Sequence, residues 1–185
     1  AVDLNGDRLP EIIRFGEGWF DWLPNEGNLE WGERHMVHET PLDGGISVGP
    51  RINAMAAGDL DGDGDLDAWV QNEIQPHRIW INDGLGNFTE SGQALGYSHS
   101  VGVSLGDLDG DGDLDAWVAN YGSSEPDRVW INQGGDQGGV EGNFADSGQA
   151  LGNSESTDVA LGDLDGDGDL DAWVANDIGQ PNRVW

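Results

Sequence analysis

The stretch Asp59–Val70 reads DLDGDGDLDAWV, and the same twelve residues return unchanged at Asp107–Val118 and Asp163–Val174. A weaker copy, DLNGDRLPEII, opens the chain at Asp3–Ile13. The four starts are separated by 56, 48 and 56 residues, so the chain reads as an array of repeats. A second string follows each strong copy: RIWIN at Arg78–Asn82, RVWIN at Arg128–Asn132 and RVW at Arg183–Trp185. A third follows twice, as GNFTESGQALG (Gly86–Gly96) and GNFADSGQALG (Gly142–Gly152).

Each unit therefore holds four short apolar runs separated by Gly, Asn, Asp and Pro. In the third unit they span residues 100–108, 114–120, 128–132 and 143–147. Val, Ile, Trp and Phe enrich these runs, which have strand length, and no window carries a helical period. Length varies where turns are expected. From the Trp of the second run to the Arg of the third, the offsets are 9, 11 and 10 residues, and Gly134–Gly142 replaces the shorter Asp83–Gly86 connection. Hairpin tips tolerate such insertions and strands do not.

Repeated four-stranded antiparallel units of about 50 residues predict an all-β fold of β-propeller blades. Residues 1–185 form one propeller region, with units starting near 1, 51, 100 and 156. Under four blades fit in this length, and both ends fall inside a blade: the first motif lacks a preceding strand, and Trp185 aligns mid-strand with Trp80 and Trp130. A partial propeller cut from a larger ring is expected, with its last unit truncated. Trp69, Trp117 and Trp173 are equivalent, as are Trp80, Trp130 and Trp185. Packing between blades is their expected role, in preference to stacking on a sugar ring.

The repeated loop places carboxylates at offsets 0, 2, 4 and 8, as in Asp59, Asp61, Asp63 and Asp67. Such acids converge when the chain curls, and Gly62 and Gly64 permit the positive φ that this requires. Asp65 would add its main-chain carbonyl. Oxygen ligands in that number suit Ca²⁺, a hard cation taking six to eight oxygens. Five carboxylates in nine residues repel one another severely without a cation. The same assignment gives Asp107, Asp109, Asp111, Asp113 and Asp115 in the third unit and Asp163, Asp165, Asp167, Asp169 and Asp171 in the fourth. The first copy offers Asp3, Asn5, Asp7, the Leu9 carbonyl and Glu11, with less charge and weaker expected binding. Up to four ions, one per repeat, are expected. An EF-hand is excluded because position 12 of the loop is Val70, counted from Asp59, and no flanking helix is present.

DLDGDGDLDAWV followed by RVWIN and GNF resembles the FG-GAP/VCBS repeat, the calcium-loop blade of the integrin α-subunit propeller and of many secreted bacterial proteins. The opening DLNGDRLPEII is similar to a common variant of that loop. The resemblance covers nearly the whole chain. It implies that the loop joins two strands of one blade, that Asp59, Asp61, Asp63, Asp65 (main chain) and Asp67 and their counterparts bind Ca²⁺, and that the complete ring is seven-bladed and extracellular.

The 36 acids face seven bases, all Arg, for a formal net charge of −29. Such a surface repels nucleic acid and anionic lipid, and no apolar run is long enough to insert in a membrane. Without Cys, disulfides and thiolate metal sites are excluded. Nine Trp argue against a solvated, disordered chain. No catalytic constellation stands out, so the chain is not expected to be an enzyme itself. His35 and His38 form the one close histidine pair and lack further ligand spacing for zinc. Asn87-Phe88-Thr89 is a glycosylation sequon whose repeat counterpart is not one. The least repetitive stretch, residues 15–51, carries Trp19, Trp22, Trp31, Arg34, His35, Met36 and His38, and is where a ligand surface could be grafted; a divergent blade packing its own core is the alternative. The leading function is an extracellular, calcium-stabilised module for adhesion or recognition of a protein or glycan. Two alternatives remain: a self-associating structural subunit of a surface layer or filament, and the propeller part of a secreted polysaccharide-degrading enzyme.

Overall fold

A computed structural model describes residues 3–5, 12–16, 19–27, 30–31, 34–39, 42–43, 46–47, 51–73, 75–122, 125–177 and 179–185. The first blade contains β1 (Ile12–Gly16), β2 (Trp19–Leu23), the hairpin β3 (Asn25–Gly27) and β4 (Glu30–Trp31), β5 (His35–Glu39), and the hairpin β6 (Leu42–Asp43) and β7 (Ile46–Ser47). The second holds β8 (Ile52–Gly58), β9 (Asp67–Asn72), β10 (Arg78–Asn82) and β11 (Phe88–Glu90). The third holds β12 (Ser100–Gly106), β13 (Asp115–Asn120), β14 (Arg128–Asn132) and β15 (Phe144–Asp146), with a single 3-10 turn at Gly135–Gln137. The fourth holds β16 (Ser156–Gly162), β17 (Asp171–Asn176) and β18 (Arg183–Val184).

Both complete blades are four-stranded antiparallel meanders, ordered β8-β9-β10-β11 and β12-β13-β14-β15. The flanking sheets have three strands, β1-β2-β5 and β16-β17-β18. The acidic loop joins the first two strands of a blade, between paired residues Gly58 and Asp67, Gly106 and Asp115, and Gly162 and Asp171. The first run is shorter than its apolar residues suggest. Leu108 leaves the strand because its N–H goes to the Asp115 carboxylate at 2.9 Å instead of to a neighbouring strand.

The DAWV string explains how blades stack. In a strand, alternate side chains point to opposite faces, so Ala and Val share one face and Trp takes the other. Trp69 of the second blade packs with Ala116 and Val118 of the third, and Trp117 of the third with Ala172 and Val174 of the fourth. Phe20 plays the Trp part for the first blade, against Ala68 and Val70. Small residues receive a large one, as close packing requires. Phe144 closes the first of these contacts edge-on, its ring 5.0 Å from that of Trp69. The tryptophans therefore pack between blades wherever a following blade exists. Trp69 is 0% exposed and Trp117 6%, whereas Trp173, in the fourth blade, is 50% exposed. The four sheets are successive blades of a partial propeller.

The first strand of each later blade also meets the first and second strands of the blade before it. Asn53 donates to the Ser100 carbonyl and Gln71 to the Gly102 carbonyl, both at 2.9 Å. Gly102 also allows the next junction to close, because a Cβ there would lie 3.0 Å from the Asp158 Cα of the fourth blade.

Candidate metal centres

The loop conformation follows from its glycines and from its first acid. Gly62 and Gly64 sit at φ 77° and 93°, Gly110 and Gly112 at 84° and 100°, and Gly166 and Gly168 at the same 84° and 100°. These values belong to the region that residues with a Cβ avoid. Asp59 fixes the curl by accepting Gly62 N–H at 2.8 Å on one oxygen and Gly64 N–H at 3.0 Å on the other. Asp107 and Asp163 repeat the pattern on their own glycines.

The last acid of the loop ties it to the sheet. Asp67, fully buried, accepts Leu60 N–H at 2.9 Å and Asn82 N–H at 2.8 Å. Asp115 does the same with Leu108 and Asn132. Burial pushes both carboxyls up to about 6, and the two N–H donors on each partly oppose this. Burial and the neighbouring Asp63 likewise raise Asp61, as burial and Asp111 raise Asp109.

In each strong copy, oxygens of three acids come within 4.8 Å of one another: Asp59, Asp61 and Asp67; Asp107, Asp109 and Asp115; Asp163, Asp165 and Asp171. The offset-four acid stands beside the triad. Asp63, Asp111 and Asp167 each accept the N–H two residues on, at 2.9, 2.9 and 3.0 Å. Asp65, Asp113 and Asp169 occupy the position from which a main-chain carbonyl was expected to serve. In the first copy, Asp3 and Asn5 are described; Asp7, Leu9 and Glu11 lie outside the described residues.

The loops meet the chemical requirements of a hard cation. Asp61 Oδ1, Asp111 Oδ2 and Asp113 Oδ2 are buried without a hydrogen-bond partner. Orphaned carboxylate oxygens are costly, and a divalent ion in each of the two loops would satisfy those of Asp61 and Asp111; Asp113 Oδ2 faces the Gly134–Gly135 turn instead. The donors are all oxygen, which favours cations such as Ca²⁺, Mg²⁺ or Mn²⁺ over metals that prefer sulfur or nitrogen.

Two residues outside the repeated motif also reach these loops, through the inserted turn of the third blade. Gln137 donates Nε2–H to Asp109 Oδ2. Glu141 lies over Gly62 of the second blade and is raised by Asp113 first, with Asp59 and Asp61 adding to the effect. The extra length of Gly134–Gly142 was the sequence signal for such a contact, though not for its target.

The family profile described as the FG-GAP-like repeat matches residues 3–70, 59–118 and 107–174. The chain belongs to the FG-GAP-like repeat family. Each match begins at the first Asp of one acidic loop and ends on the second strand of the following blade, so this FG-GAP-like unit spans the blade-to-blade junction described above. No curated protein matches the chain.

Proposed function

We propose that this FG-GAP-like array is an extracellular, calcium-binding module for adhesion or recognition, in which Ca²⁺ is structural. The supporting observation is the set of buried, partnerless carboxylate oxygens within the loops, each loop joining two strands whose faces pack the neighbouring blades. Asp59, Asp61, Asp63 and Asp67 and their counterparts hold the ion, with the main-chain carbonyl of Asp65, Asp113 or Asp169 completing the shell. Binding neutralises the acids and fixes the loop between the strands. Cation binding to the folded state alone stabilises by about 2.7 kcal/mol per site at a hundredfold excess over Kd. The extracellular setting rests on family character. Among the described residues, no helix is long and apolar enough to cross a membrane. The chain supplies a scaffold and a surface, without catalysis.

The test is thermal unfolding in EGTA, then with Ca²⁺ or Mg²⁺ restored. A large fall in Tm, reversed by Ca²⁺ and poorly by Mg²⁺ with its tighter octahedral shell, is expected. An unchanged melting curve in chelator refutes the structural role.

A further inference from the structure

Two arginines converge on a single acid in the first blade. Asp21, buried in β2, accepts Arg14 Nε on one oxygen and Arg14 Nη2 on the other, both at 2.9 Å. Arg34 Nε stands 3.5 Å from the same carboxylate. Other Arg–acid pairs among the described residues include Arg51 with Glu73, Arg78 with Glu90 and Arg128 with Asp146. The bidentate Arg14 already balances Asp21, so Arg34 is a surplus cation in a chain of net charge −29. Its side chain is exposed, and its contact with Asp21 is too long to occupy its donors.

Arg34 borders a cavity of about 370 Å³ between the first blade and the β10–β11 turn. Trp22, Arg34, His35 and Met36 form one wall and Gly86, Asn87 and Phe88 the other; among the described residues no acid lines it directly, while Asp21 and Asp83 stand behind Arg34 and Asn87. The volume lies in the range of small-molecule sites, about 300–1,000 Å³. The wall is held rigid: Trp22 Nε1–H donates to the Gly86 carbonyl at 3.1 Å, and His35 stacks on the indole at 4.3 Å and 13°. Asn87 gives its amide hydrogen to Asp83 at 2.9 Å, which leaves its Oδ1 to accept.

We propose that this cavity binds a uronate, a carboxylate-bearing sugar ring at the end of an otherwise neutral glycan. Arg34 offers the planar fork that matches a carboxylate. The His35 ring and Met36 give a flat apolar plate for the sugar's C–H face, and Asn87 Oδ1 accepts a hydroxyl hydrogen. The strongly acidic surroundings admit one negative charge and repel a run of them, which disfavours an acidic peptide. This assignment rests on the recognition-module reading and names its ligand.

The test follows the Trp22 indole and Arg34 Nε–H resonances of the full chain by NMR in excess Ca²⁺, while glucuronate, glucose, acetate or triglutamate is added. Glucuronate should move both resonances and bind at least about tenfold more tightly than glucose or acetate, since a charge-assisted hydrogen bond and a ring plate must act together. Arg34→Gln should lower glucuronate affinity by at least about tenfold, and His35→Ala should weaken it with the charge retained. Folding of each variant is checked by its Tm in Ca²⁺. No shift with glucuronate, equal binding of glucose, equal binding of triglutamate, or undiminished affinity in a folded Arg34→Gln chain each overturns the proposal. If glucuronate fails while an immobilised neutral glycan still captures the chain, the recognition reading survives and this site assignment falls.

Discussion

Asn132, at the end of β14, donates Nδ2–H to the Leu60 carbonyl in the acidic loop of the preceding blade, 3.0 Å away. Asn82 does the same to Leu4 in the first loop, also at 3.0 Å. The backbone N–H of each Asn meanwhile binds the closing acid of its own loop, Asp115 or Asp67. One residue thus joins two successive acidic loops, one through its main chain and one through its side chain. Blade stacking and loop conformation are consequently linked.

Replacing Asn132 tests that link. Asn132→Ala strands the Leu60 carbonyl and removes the acceptor for Gly142 N–H, bonded at 3.0 Å. A loss of about 1–3 kcal/mol is expected for buried partners left unmade. Because the Leu60 carbonyl belongs to the loop of the preceding blade, Ca²⁺ affinity there should also weaken. Urea unfolding and calcium titration measure the two effects. A stability loss with every calcium site unchanged would show that the Asn serves packing alone.

The ladder of Asn residues marks the limit of what the sequence shows. The strand runs, the acidic loops and the inter-blade Trp were legible because each depends on local chemistry: β propensity, carboxylate spacing and glycine at positive φ. RIWIN and RVWIN were visible as strings, yet the terminal Asn gave no sign that it reaches a loop 72 or 78 residues earlier. The same holds for Glu141, whose position over Gly62 arises only when two blades stack.

Asp109→Ala should remove one ion and leave the others bound. Asp109 belongs to the third blade's triad, and in a stacked array each unit contacts only its neighbours. Native mass spectrometry counts the ions, and a drop of one is expected. Asp111→Ala, which removes a buried partnerless oxygen of the same loop, should have the same effect. Simultaneous loss of all sites would contradict independent loops.

His77 makes the blade junction sensitive to acid. Its Nε2 lies 3.1 Å from Ser100 Oγ, whose hydroxyl donates to Asn120 Oδ1 at 2.6 Å. Nε2 must therefore carry the proton, leaving Nδ1 as a buried acceptor without a partner. Trp69 packs nearby, and Arg128 and Asp146 line the adjoining cavity. Burial pushes the imidazole down to about 4 from an ordinary 6.5. Between those values the unfolded chain binds the extra proton, so stability is full above pH 6.5 and is lost as pH falls through 4. The shift corresponds to about 3 kcal/mol. His77→Asn, which places here the residue that precedes the equivalent arginine of the fourth blade (Asn182 before Arg183), should abolish this part of the acid limb. Urea unfolding of both chains in excess Ca²⁺ measures the difference, and parallel pH curves would refute it.

The final expectation concerns the bare face of the fourth blade. On the second blade, Trp69 and Leu60 are both 0% exposed because the third blade covers them; on the fourth, Trp173 is 50% and Leu164 52% exposed. Val184 and Leu170 are exposed in the same blade. Apolar surface of this kind is rarely left open on a soluble monomer, and the covering it fits is an Ala–Val face like that of Ala116 and Val118. Residues 1–185 in isolation should therefore associate as concentration rises, in spite of the net negative charge, and added salt should promote association by screening that charge. Trp173→Asp should suppress the association while leaving the calcium-dependent Tm of the second and third blades near its original value. Light scattering across a concentration series, with melting in parallel, provides the measurement. A monodisperse monomer at high concentration, in both the original chain and the variant, would mean that the exposed Trp173 face does not drive assembly.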